Sequence, residues 1–446
     1  MGDHLYRAVA KAACWCVVVA GGLSASQQGM AQAFNDFDLP PHDYYLRQHE
    51  DALSRLLRKA EKGEYDFGFQ TGLPFLKKML RDLNIAESSQ VLLFSQTSLQ
   101  RRSIGPGNPR ALYFNEDTHV AWIPGGKMEI ISFDPSVGGL FFLEKSPETP
   151  AEKVSFTRRD SCFGCHGGSA TNFLPGPLGR SHFTGDTGSV LGQVPGHTRV
   201  GHAVAFEDRW GGYYVTGSPS SMEHLGNAFY TREEGRFVKD PIARSSREDL
   251  TQFFDPVKLP RSDSNVVPLM VFDHQIEAQN LILEAVYRDR NWHHEAAKWG
   301  EPLGKTRADS NKLFDRLVRY LLFADEVPFN PAGLLASSDF MEDFVERSKT
   351  DDAGNSLRHF HLQGRLFKTR LSYMIHSRMF EEAPPSMKER VYDRLWAILS
   401  PKNPPDGFDY FEPGERERII GILRATKDDL PYEWNRSLAH LGHSNP

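Results

Sequence analysis

Apolar and polar positions change rhythm three times along this chain. Over residues 41–63, Tyr45, Leu46, Leu53 and Leu56, with His49 among them, recur near helical spacing and predict an amphipathic helix. A second helix is expected over 73–83, ending before Asn84. The period then shortens. Residues 90–99, 110–115, 118–123, 128–133 and 139–143 read as short strands, with turn signals at Asn115-Glu116-Asp117 and Gly125-Gly126. Pro147 and Pro150 bracket a polar linker, and a new segment begins near Val154. From 162 to about 219 the chain is rich in Gly, Pro, Ser and Thr and lacks helical period, apart from a turn into a strand over 209–216. From about 268 helical spacing returns, over 270–289, 311–323, 340–347, 365–379, 387–399 and 415–424. Pro384-Pro385 and Pro404-Pro405 break it.

The pattern predicts an α+β protein with a small antiparallel sheet, a loop-rich middle and a C-terminal α-helical domain. The expected divisions are 1–33, 34–150, 151–265 and 266–446. The first reads as a signal peptide. Arg7 and Lys11 supply a positive start, 12–23 is a short apolar run, and Ala31-Gln32-Ala33 is a small-residue cleavage site. The run falls short of the roughly 20 residues that span a bilayer, and no later run is long enough. The expected mature protein is exported, has no stable membrane span and lies in the periplasm of a Gram-negative-type bacterium. A net charge of -6 with 25% charged residues carries no polybasic signal for nucleic acid.

Charge says little more; the cysteines say a great deal. Of four, Cys14 and Cys16 fall in the segment expected to be removed. The other two stand in Cys162-Phe163-Gly164-Cys165-His166, the C-x-x-C-H spacing of c-type haem attachment. Two thiols three positions apart add to the two vinyl groups of one porphyrin, and the following imidazole donates to its iron. With 4 Cys and 17 His in 446 residues, chance yields roughly 0.001 such matches. A zinc site needs further ligands that no second C-x-x-C or H-x-x-x-H supplies. A redox dithiol should open a helix, and Gly167-Gly168-Ser169 starts one poorly. One haem c per chain is the expected cofactor, with Cys162 and Cys165 as attachment points and His166 as proximal ligand.

The second axial ligand decides between electron carriage and an open site. His274 lies on a helical stripe with Val267, Val271, Ala278, Leu281 and Ala285, where a lone histidine is more often a hydrogen-bonded core residue. His224 follows the 209–216 turn, Met222 falls 56 residues after His166, and His202 stands in Val200-Gly201-His202-Ala203. These four are the distal candidates. His182 and His197 lie in loops that read as mobile, and His293-His294 reads as a solvated helix end. Arg180, Arg199 and Arg209 are candidate propionate partners, since a guanidinium fork fits a carboxylate, although a surface arginine is the commoner case. Trp210, Tyr213 and Tyr214 are candidate haem shields or simply core.

Several runs together resemble a family of predicted exported mono-haem cytochrome c domain proteins of planctomycete-type and other bacteria. They are 98–100, 109–115, the Cys162–His166 motif, 209–217 and His224-Leu225-Gly226-Asn227, continuing through Asp273-His274-Gln275. The resemblance covers most of the expected mature chain and implies a haem c protein, with its haem residues carried over to Cys162, Cys165 and His166. The first expectation for function is an exported mono-haem electron-transfer protein. It would need the cytochrome c maturation machinery and a redox partner protein. The alternatives are a haem enzyme, peroxidase-like or a small-molecule reductase, and a haem-based sensor with an open iron face.

Overall fold

The computed structural model describes residues 36–149, 151–194, 200–240, 249–300, 304–401 and 403–435. The expected signal peptide, His197 and Arg199 lie outside them.

The sheet is the scaffold. Strands β1 (Val91–Leu93), β2 (Arg110–Phe114), β3 (Thr118–Trp122), β4 (Glu129–Asp134), β5 (Gly138–Lys145) and β6 (Ser155–Arg158) pair in sequence order. A late strand, β9 (Tyr213–Tyr214), adds to the free edge of β1, giving the order β6-β5-β4-β3-β2-β1-β9, antiparallel throughout. Consecutive hairpins explain this order, because short turns favour neighbours. Two small ribbons complete the β structure: β7 (His182–Thr184) with β8 (Val190–Gln193), and β10 (Tyr230–Glu233) with β11 (Arg236–Lys239).

Helices surround this sheet. Helix α1 (Ala52–Glu61) starts later than residue 41 because Asp51 caps it, accepting from the Leu53 and Ser54 N–H groups. Turns occupy the chain ahead of it. Helix α2 (Gly72–Asp82) buries Phe75, Leu76, Met79 and Leu80. The short α3 (Phe163–His166) carries the cysteine motif. Helix α4 (Val266–Trp299) is longer than 270–289, and nearly every side chain from Val266 to Tyr287 is buried, polar ones included. A helix buried on all sides is a central pillar. It presses against the sheet, with Phe272 against Phe114 at 4.9 Å and the Tyr287 hydroxyl donating to the Val137 carbonyl.

The remaining helices are α5 (Gly304–Leu321), α6 (Ser338–Glu346), α7 (Arg378–Glu381), α8 (Pro385–Leu399) and α9 (Glu415–Thr426). The helix expected over 365–379 is instead a turn-rich stretch with a 3-10 turn, Tyr373–His376, ahead of α7. Ser372 and Ser377 accept from the Met374 and Phe380 N–H groups, so each serine starts a new short element and neither lets one run on. Arg365 is pinned on buried Glu415 at 3.1 Å. Buried apolar side chains from Phe37 to Trp434 form one continuous cluster. Among the described residues no helix is long and apolar enough to cross a membrane.

Candidate functional site

Strand β6 delivers the chain to the cysteine motif. The Arg159 N–H donates to the Phe141 carbonyl at 2.9 Å, and a 3-10 turn over Asp160–Cys162 runs into α3. The helix stops at Gly167 after a single turn. Phe163 is the anchor. Its ring lies 4.8 Å from Phe37, 5.4 Å from Tyr44 and 5.3 Å from Phe141. With that ring fixed in the core, Cys162, Cys165 and His166 stand in the wall of one cavity. Positions i, i+3 and i+4 share one side of a helical turn, which is why this spacing brings them together. Both thiols are free; Cys162 is half-buried and Cys165 exposed. Burial pushes the Cys162 thiol up to about 11.

His166 is held as a ligand histidine should be. Its Nδ1 lies 3.0 Å from the Gly176 carbonyl. An N–H must donate there, so the proton sits on Nδ1 and Nε2 carries the lone pair. Burial brings its pKa down to about 4, so the ring is neutral near pH 7. The Gly176 loop is clamped from both sides. The Gly139 N–H donates to the Pro175 carbonyl at 2.7 Å, and Asn280 of α4 donates to the Pro177 carbonyl at 3.0 Å. A Cβ at Gly176 would stand 2.1 Å from the Asn280 Oδ1, so a larger residue there would push the Asn280 side chain off its place.

The cavity holds about 460 Å³, within the range of small-molecule and cofactor sites. One face of the sheet forms its floor. Leu112 pairs with Ala121, Ala121 with Glu129, and Glu129 with Leu143; His119 pairs with Ile131, and Ile131 with Phe141. All these residues line the cavity. Directly opposed residues point to the same face, so the floor is largely apolar. The lining also carries charge: Arg101, Arg110, Arg159 and Arg180 belong to it, and Glu129 is the acid among them, 3.5 Å from Arg110. The Nε atoms of Arg110 and Arg180 are enclosed without a hydrogen-bond partner, as is the His182 Nδ1.

The four distal candidates do not line this cavity. His274 and His202 face each other, Nδ1 to Nδ1 at 2.8 Å, and the His274 Nε2 lies 2.7 Å from the Ser372 hydroxyl. His224 lies with Nε2 2.9 Å from the Ser218 hydroxyl, and its Nδ1 accepts the Gly226 N–H at 3.0 Å. Met222 is buried in the core cluster. The stripe on α4 does carry His274, but the helix is buried all round, so the stripe points at protein.

Arg180 and Tyr213 line the cavity. Arg209 instead donates to the Val204 and His202 carbonyls, Trp210 to the Asp273 carboxylate, and Tyr214 to the Pro106 carbonyl. His293 and His294 are exposed on α4. Sequence reasoning missed His119, Arg101, Arg110 and Arg159 and passed over His182. The signal for Arg110 and His119 lay in the strand alternation, since Arg110 shares a face with Leu112, and His119 with Ala121.

Two thiols, an imidazole nitrogen, an apolar floor and unpartnered guanidinium nitrogens in the lining fit a covalently held, flat apolar macrocycle with acidic substituents. Among the described residues no group of three or more His, Cys, Asp and Glu is arranged to hold a bare metal ion. No family model, curated protein or solved structure matches the chain.

Proposed function

We propose that the chain is an exported mono-haem c-type cytochrome, of the family it resembles, and that it passes electrons to and from a partner protein. The observation that carries this reading is the meeting of Cys162, Cys165 and His166 in the wall of one cavity, with the His166 Nδ1 tied to the Gly176 carbonyl. When bound, the haem supplies an iron that alternates between ferric and ferrous states. Cys162 and Cys165 would hold it covalently, and His166 would donate Nε2. Arg110 and Arg180, each with an enclosed unpartnered Nε, would take its propionates. The apolar sheet floor keeps water from one side of the site, which favours the less charged state of the iron. Cys165 is exposed, so one edge of the attached group would reach the surface, where a partner can dock.

The test is expression in a host that matures c-type cytochromes, beside the Cys162→Ser/Cys165→Ser variant. The account expects colour and added mass that survive denaturation in the parent and vanish in the variant. Colourless parent protein would reject it.

A further inference from the structure

We propose that His182 is the second axial ligand, making the haem bis-histidine; this deepens the haem reading above and rests on it. Three described histidines line the cavity: His119, His166 and His182. His119 is committed to the wall. Its Nε2 lies 3.1 Å from the Gln275 side-chain nitrogen, and its ring packs against Phe133 and Phe272 at 5.2 Å each. No methionine or lysine is among the described lining residues. That leaves His182. It is 9% exposed, and its Nδ1 is fully enclosed with no hydrogen-bond partner among the described residues. Burying an imidazole with no partner is unfavourable. A bond to iron would recover what the protein alone leaves unmet.

The backbone holds His182 as a rigid site requires. It opens β7, opposite Gln193 of β8, and its N–H donates to the Gly211 carbonyl at 3.0 Å. On that side the strands touch. A Cβ at Gly211 would stand 2.5 Å from the His182 carbonyl oxygen. Gly211 and Gly212 precede β9, so the sheet edge itself clamps His182. The two ligands would come from one loop, 182 − 166 = 16 positions apart, which the Gly176 region crosses between them.

Two nitrogen ligands imply low-spin iron in both oxidation states and a lower potential than a histidine–methionine pair gives. The experiment compares visible and electron paramagnetic resonance spectra of haem-loaded parent, His182→Ala and His182→Met. The parent should be low spin and indifferent to carbon monoxide. His182→Ala should become high spin, bind carbon monoxide, and return to low spin on adding imidazole. His182→Met should remain low spin with a raised potential, which a merely structural histidine would not produce; should the alanine variant fail to fold, this variant alone decides. A high-spin parent, a low-spin His182→Ala, or a His182→Met with unchanged potential would overturn the assignment. Denaturation-resistant haem in all three proteins would leave the cofactor reading standing in that event, whereas its absence from the parent sinks both.

Discussion

At the scale of single residues, charge beside the proposed haem iron would set how easily the metal is reduced. Arg180 lines the cavity, and burial first, with the charge of this guanidinium adding to it, lowers the proton affinity of His166 and His182. A positive charge disfavours the ferric state for the same reason. Arg180→Gln should therefore lower the reduction potential, by tens of millivolts for a partly screened charge at such range. Potentiometric titration of the haem-loaded variant checks this, and a raised potential would contradict it. The residue scale also marks what was legible without coordinates. Cys162, Cys165 and His166 could be read because their chemistry is packed into five consecutive positions. His182 could not, since an isolated histidine in a Gly-rich stretch looks the same whether it faces solvent or a cavity. What distinguishes it is the Gly211 carbonyl on its N–H, a contact across 29 positions that no local pattern carries.

At the scale of elements, the site depends on where chain segments press together. The Gly176 loop is wedged between the start of β5 and Asn280 of α4, and its carbonyl orients His166. Gly176→Ala would drive a Cβ into Asn280. Asn280 must then swing away and release the Pro177 carbonyl, which loosens the loop whose Gly176 carbonyl holds His166 and weakens that hydrogen bond, a cost of about 1–3 kcal/mol. Haem should stay attached, because the thiols are untouched, but a high-spin fraction should appear alongside a lower denaturation midpoint. An unaltered spectrum would show that the Gly176 contact does not position His166.

The elements themselves were legible to different degrees. The strands β2 to β5 match their expected spans closely, because short apolar runs buried on both faces, cut off by turn residues at Asn115-Glu116-Asp117 and Gly125-Gly126, are a strong signal. Helix α4 was recognised, but its buried polar residues hid its central place, and with it the fact that His274 faces Ser372 and His202. The stretch 365–379 has helical spacing yet breaks at two serine caps, a local competition that periodicity does not register.

At the scale of the whole molecule, the interior is crowded with neutral histidines, and this sets its response to acid. Burial lowers His42 to about 4 and His274 and His376 to about 3, and it brings His202 well below its usual value. In the unfolded chain such groups titrate near 6.5. Below that pH the unfolded state takes up protons that the folded state refuses, so stability is full above about 6.5 and falls as pH drops toward 3. Asp117 and Asp273, raised to about 6 by burial, oppose the trend between about 4 and 6. Glu326 and Asp393 are raised too, but His119 is lowered to about 3 like the other buried histidines, and the shifts of Asp117 and Asp273 are smaller, so the net loss on acidification stands. Denaturant midpoints of the full chain should decline steadily from pH 7 to pH 4, and a flat profile would contradict the buried-histidine account.

The same compact interior gives the cavity its apolar floor, and the proposed redox chemistry requires a haem bonded there. The most direct test is the intact mass of the denatured protein, made in a maturation-competent host and compared with Cys162→Ser/Cys165→Ser. The account predicts that the parent carries the mass of one haem beyond its polypeptide and that the double variant carries none. Equal masses for polypeptide and purified parent, with no absorbance following the chain, would contradict it.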